Sequence, residues 1–410
     1  MEDAIHWGEV EVLIIGSGLM GASLAQAFAQ NGVNVGLIGR REESLRRAEA
    51  FLNHELDEAS EKGIFPRPKT EEIKHRILTG LDLKGACGGK NLQVAVESAT
   101  EDMAIKKEIF QSLDEFCLPH VVLASNTSCL DAELLASQTQ RPERVVWMHF
   151  FFPAHKNRAA EYAATARSSE ESLRVAAHYL KTARKAAVEL LRYRKGGAAN
   201  VIFVALLLEA VRMLDEGFAG RSIDEAGKAA FAMPAGFLQL MDTVGLGLAA
   251  SCIESFSEAS ETGRPFHRVY DNFFSPPESF KQKLTEGKKG AGHFSVAPLD
   301  SPDKTSLSQD LMVLEHLQRR FWAVAFMTAT EVVEAGIIKL EDVDRLCQNA
   351  FVWPEGPFAL MNRIGIREAL TMVTEKMELS HRQEINFPIP RLLIEQAQKN
   401  EPWLLGRSFF

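Results

Sequence analysis

The chain is poor in cysteine, with five in 410 residues, and poor in tyrosine and tryptophan, with four and five. The cysteines, Cys87, Cys117, Cys129, Cys252 and Cys347, are scattered, odd in number and without C-x-x-C spacing. That pattern excludes a zinc ribbon or a disulfide framework, suits a reducing compartment, and leads us to expect no metal site. There is no basic excess either: 46 Lys and Arg stand against 55 Asp and Glu, a net charge of −9. General affinity for nucleic acid or for an anionic membrane surface is therefore not expected, and a polyanionic ligand needs a local basic site. No apolar run reaches 18 residues without a charge, and the most apolar one, 198–208, is too short to span a bilayer and reads as a buried helix. The first residues carry acid and no long apolar run, so a secretory signal is not expected and the expected location is cytoplasmic. What remains is an ordinary globular composition, 46% hydrophobic and 25% charged, on a chain long enough for two or three domains.

The most informative stretch is 10–41, VEVLIIGSGLMGASLAQAFAQNGVNVGLIGRR. Apolar, β-branched residues from Val12 to Ile15 break at Gly16-Ser17-Gly18, and an Ala-rich segment at helical spacing runs from Gly21 to Asn31. Gly16, Gly18 and Gly21 match G-x-G-x-x-G: the first allows the turn, the second lets backbone approach a pyrophosphate, and the third lets helix pack on strand. The N–H groups that open the helix, at Leu19 and Met20, would hold the phosphates at its positive end. A second strand, Val33 to Ile38, follows at the spacing of a dinucleotide-binding unit. Such units place a carboxylate at the end of that strand for the ribose hydroxyls. Here Gly39, Arg40 and Arg41 stand instead, which favours the 2′-phosphate of NADP(H) over NAD(H). The competing reading makes Arg40 and Arg41 solvated charges at a helix start, beside Glu42 and Glu43.

Between the second strand and the next comes more chain than a doubly wound sheet needs, and a helical hairpin turning at 63–68 accounts for it. Its basic residues Lys62, Arg67 and Lys69 are candidates for contact with a phosphate-bearing substrate. Strands are then expected at Gln93–Glu97, Val121–Ala124 and Val145–Met148. Their ends carry Glu97 with Glu101, Ser125 to Ser128 including Asn126, and His149, and ligands of open α/β sheets bind outside such ends. An apolar and helical stretch follows through Glu161 and Lys181, then a strand-like run at 186–191, and the charged, Gly-containing 192–197 reads as a boundary. Beyond Asn200 the pattern is helical. GFLQLMDTVGL at 236–246 recurs as GPFALMNRIGI at 356–366, an offset of 120, which implies a duplicated helical domain. The expected domains are 1–195, 196–300 and 301–410.

Oxidising a secondary alcohol by hydride transfer needs a base with a pKa near the working pH, and histidine suits it when a carboxylate fixes its tautomer. His149 at a strand end, with Glu161 twelve residues on, is the candidate pair; a chain returning along the next strand would bring them together. Cys129 reads as a small apolar filler.

GSGLMG, AVESATED, ASNTSCL, HFFFPAHKNRAAE and GGAANVIF, in this order and at these separations, resemble the 3-hydroxyacyl-CoA dehydrogenase family, over nearly the whole chain. The resemblance implies an α/β Rossmann-type N-terminal domain, with a mostly parallel sheet and a helical-hairpin insertion, followed by two all-α domains related by the repeat. EGKKGAGHFS, from 286, resembles the basic end of the family's helical domain. The resemblance also implies His149 as base, Glu161 as its partner, Ser128 bonding the substrate oxygen, Asn200 reaching in from the helical domain, and Glu97 near the nicotinamide crevice. The implied substrate is an acyl-CoA and the implied setting is β-oxidation. Two helical copies allow either a homodimer or a monomer that makes the dimer-like contact within itself. Two departures stand out: Phe152 replaces the family asparagine, and Gly39-Arg40 replaces the acid. With Phe150 and Phe151, Phe152 points to an aromatic, alicyclic or branched acyl group. The rival readings are a dehydrogenase of free hydroxy acids and a catalytically weak paralogue that binds nucleotide or acyl-CoA.

Overall fold

The computed structural model describes residues 6–244, 246–257, 273–287 and 307–406. Two compact units divide at Lys195 and Gly196. The first contains β1 (Val12–Ile15), α1 (Leu19–Ala29), β2 (Val35–Ile38), α2 (Glu42–Glu61), α3 (Arg67–His75), β3 (Ile77–Gly80), α4 (Leu83–Cys87), β4 (Val94–Glu97) and α5 (Met103–Phe116). It continues through β5 (Val122–Ser125), α6 (Ala132–Ala136), β6 (Val145–Phe150), β7 (Ala159–Ala164), α7 (Glu170–Thr182) and β8 (Ala186–Glu189).

The strands form one sheet in the order β3-β2-β1-β4-β5-β6-β7-β8. Every pairing is parallel except β6 with β7. Strands buried on both faces read as continuous apolar runs rather than alternations, and β1, β2, β4 and β5 are buried along their whole length. Within β1, Val12 and Ile14 enter a core with Phe28 of α1, Leu52 of α2 and Leu180 of α7, whereas Leu13 and Ile15 enter a second core with Phe110 and Leu113 of α5. The helical hairpin is α2 and α3; α2 buries Leu45, Ala48, Leu52, Leu56 and Ala59, spaced three or four apart along one face.

Three expectations need correction. The helical stretch through Glu161 is interrupted by β7, whose AAEYAA lacks the β-branched residues that announce a strand. Strand β3 is missed because four half-buried residues directly after a helix carry too little period to read. His149 also lies within β6 rather than just beyond it.

The second unit is helical: α8 (Ala199–Asp215), α9 (Gly220–Phe231), α10 (Phe237–Val244), α11 (Leu246–Ser257), α12 (Glu278–Gly287), α13 (Leu307–Glu334), α14 (Leu340–Phe351), α15 (Pro357–Ile364), α16 (Ile366–Arg382) and α17 (Arg391–Lys399). The repeat is visible in detail. Asp224 Oδ1 accepts from Leu238 N at 2.9 Å and opens α10, while Asp344 Oδ1, 120 residues on, accepts from Phe358 N at 2.9 Å and opens α15. The residues that end α9 and α14, Ala232 and Val352, both adopt the left-handed conformation, with φ of 50° and 58°. Helix α13 packs against α8 and α9, so the two sequence halves are interleaved. Gly245, the segment beyond Gly287 that continues EGKKGAGHFS, and the boundary expected at 300 lie outside the described residues. Among the described residues no helix is long and apolar enough to cross a membrane.

Candidate active site

The glycine turn fits a bound dinucleotide. Gly16 has φ of 122°, and a Cβ there would sit 2.6 Å from the Ser98 carbonyl carbon and 2.8 Å from Ala99 N. Gly21 packs its α-carbon onto the Gly16 carbonyl, so a side chain would push α1 off β1. A Cβ at Gly18, by contrast, would enter open space in front of the first turn of α1, where backbone N–H groups and the helix dipole favour an anion. Leu19 is exposed at the same place. The first residues of the helix thus present backbone rather than side chain to a pyrophosphate.

Short polar links join the turn to the next three strand ends. Ser98 N donates to Ile15 O at 2.8 Å, and Asn126 N to Glu97 O at 2.8 Å. Asn126 then bridges outward: its Nδ2 donates to Ser98 Oγ at 3.2 Å and its Oδ1 accepts from Phe150 N at 2.9 Å. Trp147 Nε1 donates to Thr127 O at 2.9 Å. The ends of β1, β4, β5 and β6 are held in one line.

Beneath this line lies a buried charge cluster. Lys106 of α5, 1% exposed at its side chain, pairs with Glu97 at 2.6 Å and with Glu101 at 3.2 Å. Glu97 is fully buried, and its carboxylate also accepts from Ala99 N at 2.7 Å and Ser125 Oγ at 2.8 Å. It therefore braces the strand ends from below. Glu101 accepts from Thr127 Oγ1 at 2.5 Å, Ser128 N at 2.9 Å and Cys129 N at 3.0 Å, fixing the loop that carries Ser128. Burial pushes the Glu101 carboxyl up, but the Lys106 ammonium and these donors outweigh it and hold it below its ordinary value. Burial likewise opposes the Lys106 charge, and the two carboxylates override it, raising the ammonium pKa. Sequence reasoning left Lys106 without a role. The signal was present: Met103, Lys106, Phe110 and Leu113 form one helical stripe, and a lysine on an apolar stripe needs a buried partner. Cys129 is buried, its thiol 3.6 Å from Glu101.

His149 and Glu161 face each other directly across the antiparallel β6–β7 ladder. Imidazole Nδ1 and Glu161 Oε2 are 3.4 Å apart, with His149 3% exposed and Glu161 fully buried. A proton on Nδ1 shared with the carboxylate leaves Nε2 as the basic nitrogen. Trp147 stacks parallel to the imidazole, 5.4 Å between centroids, and Phe151 meets it edge-on at 4.6 Å. These rings hold the imidazole plane. Phe150 instead packs into the core against Phe28, and Phe152 is 53% exposed.

The other candidates are dispersed. At the end of β2, Gly39 is buried, and a Cβ would lie 2.6 Å from Ser17 Oγ and 2.7 Å from Leu45 Cγ. Arg40 and Arg41 are exposed, and neither guanidinium makes a hydrogen bond or ion pair among the described residues. Glu42 and Glu43 pair with Arg46 and Arg47, one turn on. On the hairpin, Lys62 pairs with Glu58 at 2.7 Å, Lys69 with Glu72 at 3.0 Å, and Arg67 is exposed at the start of α3. Asn200 lies in the first turn of α8, in the second unit.

A glycine turn on a mostly parallel sheet, with a histidine–carboxylate pair near the end of another strand of that sheet, fits a nicotinamide-dinucleotide oxidoreductase. The model of the 3-hydroxyacyl-CoA dehydrogenase NAD binding domain matches residues 11–193, and that of the C-terminal domain matches 196–293 and 316–401. The chain belongs to the 3-hydroxyacyl-CoA dehydrogenase family. It is 30% identical over 283 residues to the mitochondrial hydroxyacyl-coenzyme A dehydrogenase of Sus scrofa, covering 68% of this chain and 87% of that one. It is 30% identical over 261 residues to the 3-hydroxybutyryl-CoA dehydrogenase of Clostridioides difficile, covering 62% and 92%. The crystal structure of 3-hydroxybutyryl-CoA dehydrogenase from Escherichia coli shares the fold with a TM-score of 0.78 at 20% identity, over 96% of this chain and 99% of that one.

Proposed function

We propose that the protein is an L-3-hydroxyacyl-CoA dehydrogenase that interconverts a 3-hydroxyacyl-CoA and the 3-oxoacyl-CoA. The observation that carries this is the His149–Glu161 pair, set in register across β6 and β7 in the same sheet that carries the glycine turn. When bound at that turn, the nicotinamide supplies the two-electron hydride acceptor or donor. In oxidation His149 Nε2 takes the proton of the 3-hydroxyl, and in reduction it returns one to the forming alkoxide. Glu161 keeps the proton on Nδ1 and stabilises the imidazolium. Ser128, whose loop Glu101 fixes, is assigned the hydrogen bond to the substrate oxygen. Asn200 keeps, on the strength of the family resemblance alone, its assignment as the asparagine that the helical domain contributes.

The preferred cofactor in this proposal is NADP(H). Gly39 has no room for a carboxylate against Ser17 and Leu45, and the acidic neighbours of Arg40 and Arg41 are already paired, which leaves both guanidiniums for a 2′-phosphate. The acyl group is proposed to be aromatic, alicyclic or branched, a reading that Phe151 beside His149 supports and that loses Phe150 to the core. We also assign the chain a monomeric state, since α13 of one sequence half packs on α8 and α9 of the other. Light scattering at one chain mass rather than two tests that assignment.

The test of function is absorbance at the reduced-nicotinamide band with acetoacetyl-CoA, NADPH against NADH, followed by a panel of aromatic and branched 3-oxoacyl-CoA compounds. Oxidation that is faster with NADPH is the expected result. His149→Gln lowers kcat by about 10²–10⁴-fold while NADPH binding persists; full activity in that variant overturns the assignment.

A further inference from the structure

The sheet unit holds a cavity of about 670 Å³ at the C-terminal end of α1, bounded by Gln30 to Gly32 and by the chain around 155–158 and 183–185. Its volume is within the ordinary range for small-molecule sites. Five of its lining residues are Lys69, Lys156, Arg158, Arg184 and Lys185, a sixth is His155, and no carboxylate lines it. In a chain of net charge −9, this concentration of cations is local.

Four of the cations divide into two pairs. Lys69 is paired with Glu72 and Lys156 with Glu55 at 2.6 Å, so their charge is largely answered. Arg158 and Arg184 are exposed, and neither guanidinium makes a hydrogen bond or ion pair among the described residues. Arg184 is also held at φ of 54°, a conformation in which a side chain other than glycine is uncommon.

The wall between them is built from buried bonds. His155 is shared between Ser23 Oγ at 2.9 Å and Glu55 Oε2 at 2.8 Å, and its carbonyl accepts from Gln30 Nε2 at 3.0 Å. Lys185 Nζ donates to the carbonyls of Ala154 and Asn157. This loop is pinned to α1, α2 and the start of β8, so the cavity is preformed and little ordering cost falls on binding. The negative end of the α1 dipole opposes an anion here, but it amounts to about half a charge against two free guanidiniums.

We propose that this cavity is a binding site for the phosphate groups of a nucleotide-sized ligand, recognised through Arg158 and Arg184. The planar fork of arginine matches phosphate oxygens in pairs. It is separate from the glycine turn, which lies at the other end of the 11-residue α1, about 16 Å away along its axis. Neither the catalytic assignment nor the cofactor preference is needed for it. Two sources offer this chemistry: the 3′-phospho-ADP handle of a CoA thioester, and a free nucleotide. A linked proton effect follows as well. Burial pushes the Lys185 ammonium down to about 8, and an anion beside it draws the pKa back up, so binding takes up protons near that pH.

The experiment is isothermal titration of the full chain with adenosine 3′,5′-bisphosphate, ADP and inorganic phosphate, repeated with Arg158→Gln and with Arg158→Gln/Arg184→Gln. NADPH binding, read by protein fluorescence, serves as the control for folding. The expected result is saturable binding of at least one adenosine phosphate, weakened at least tenfold in the double variant with NADPH affinity unchanged. A preference for the bisphosphate with a raised KM for acyl-CoA in the variants assigns the site to the substrate handle. Equal binding of ADP with KM unchanged assigns it to a free nucleotide. No binding of any adenosine phosphate to the wild-type chain, or binding that both variants retain, overturns the proposal.

Discussion

The two units bury charge to different ends. In the sheet unit, Glu97, Lys106 and Glu101 lie at the base of the strand ends, and the spare acceptors of Glu101 are filled by the N–H groups of Ser128 and Cys129. In the helical unit, Glu209 of α8 meets Arg320 of α13 at 2.6 Å and Lys376 of α16 at 2.9 Å, and Arg320 also reaches Glu216. The first cluster ends on the loop that carries Ser128; the second closes among helices. Burial raises the Glu209 carboxyl, but Arg320, Lys376 and Arg212 together hold it below its ordinary value. A cluster tied to a loop links stability to site geometry, whereas one closed among helices links it only to assembly.

The largest effect that separates the two is expected from Lys106→Met. It leaves two buried carboxylates without their cation, at a cost of about 3–5 kcal/mol, and lets the Ser128 loop relax. Urea denaturation should show the loss, and kcat measured where the variant is still folded should fall too; an unchanged kcat would reduce the cluster to a structural brace. Lys376→Met, the counterpart in the helical unit, leaves Glu209 with Arg320 and is expected to cost about 1.5–3 kcal/mol with kcat unaltered. A third kind of charge sharpens the contrast, since Arg40 and Arg41 are neither buried nor paired. Replacing both with alanine should raise KM for NADPH by about 10–30-fold, which is about 1.4–2 kcal/mol, and leave KM for NADH and the melting temperature where they were.

An effect that depends on pH is expected at Asp344. Burial pushes its carboxyl up to about 6, against the N–H bonds of Phe358 and Ala359. A folded-state pKa above the unfolded value means that this contribution is fully present below about 4 and is lost as pH rises through about 6. Asp344→Asn keeps one acceptor and removes the titration, so its stability should vary less between those pH values, by up to about 3 kcal/mol. Parallel thermal melts of the two proteins across that range measure it.

What was legible in the sequence follows the same physics. Strands buried on both faces, Val12–Ile15 and Val122–Ser125 among them, announce themselves by composition, and the glycine turn by a spacing only glycine can satisfy. His149 stood out because a polar residue follows an apolar run, although the strand continues through it to Phe150. Strand β7 was not, since Ala159 to Ala164 owes its extended form to pairing with β6 and β8 rather than to its own residues. Lys106 was overlooked because lysine is ordinarily solvated, and its buried role depends on Glu97 and Glu101, brought beneath the stripe by the fold. The cation-lined cavity was beyond reach: its residues come from four separate stretches of chain that no local period connects.

The apposition of His149 and Glu161 is a property of the ladder and not of the eight residues, 151–158, that join the two strands. Slipping β7 by one residue would turn Glu161 to the opposite face and separate it from His149. Lengthening or trimming the connection would leave the pair facing each other. The sheet thus works as a fixed jig and the connection as an exchangeable fitting, which makes that loop, with Phe152 on it, the place where a designer can rewrite the sequence without disturbing the His149–Glu161 pair.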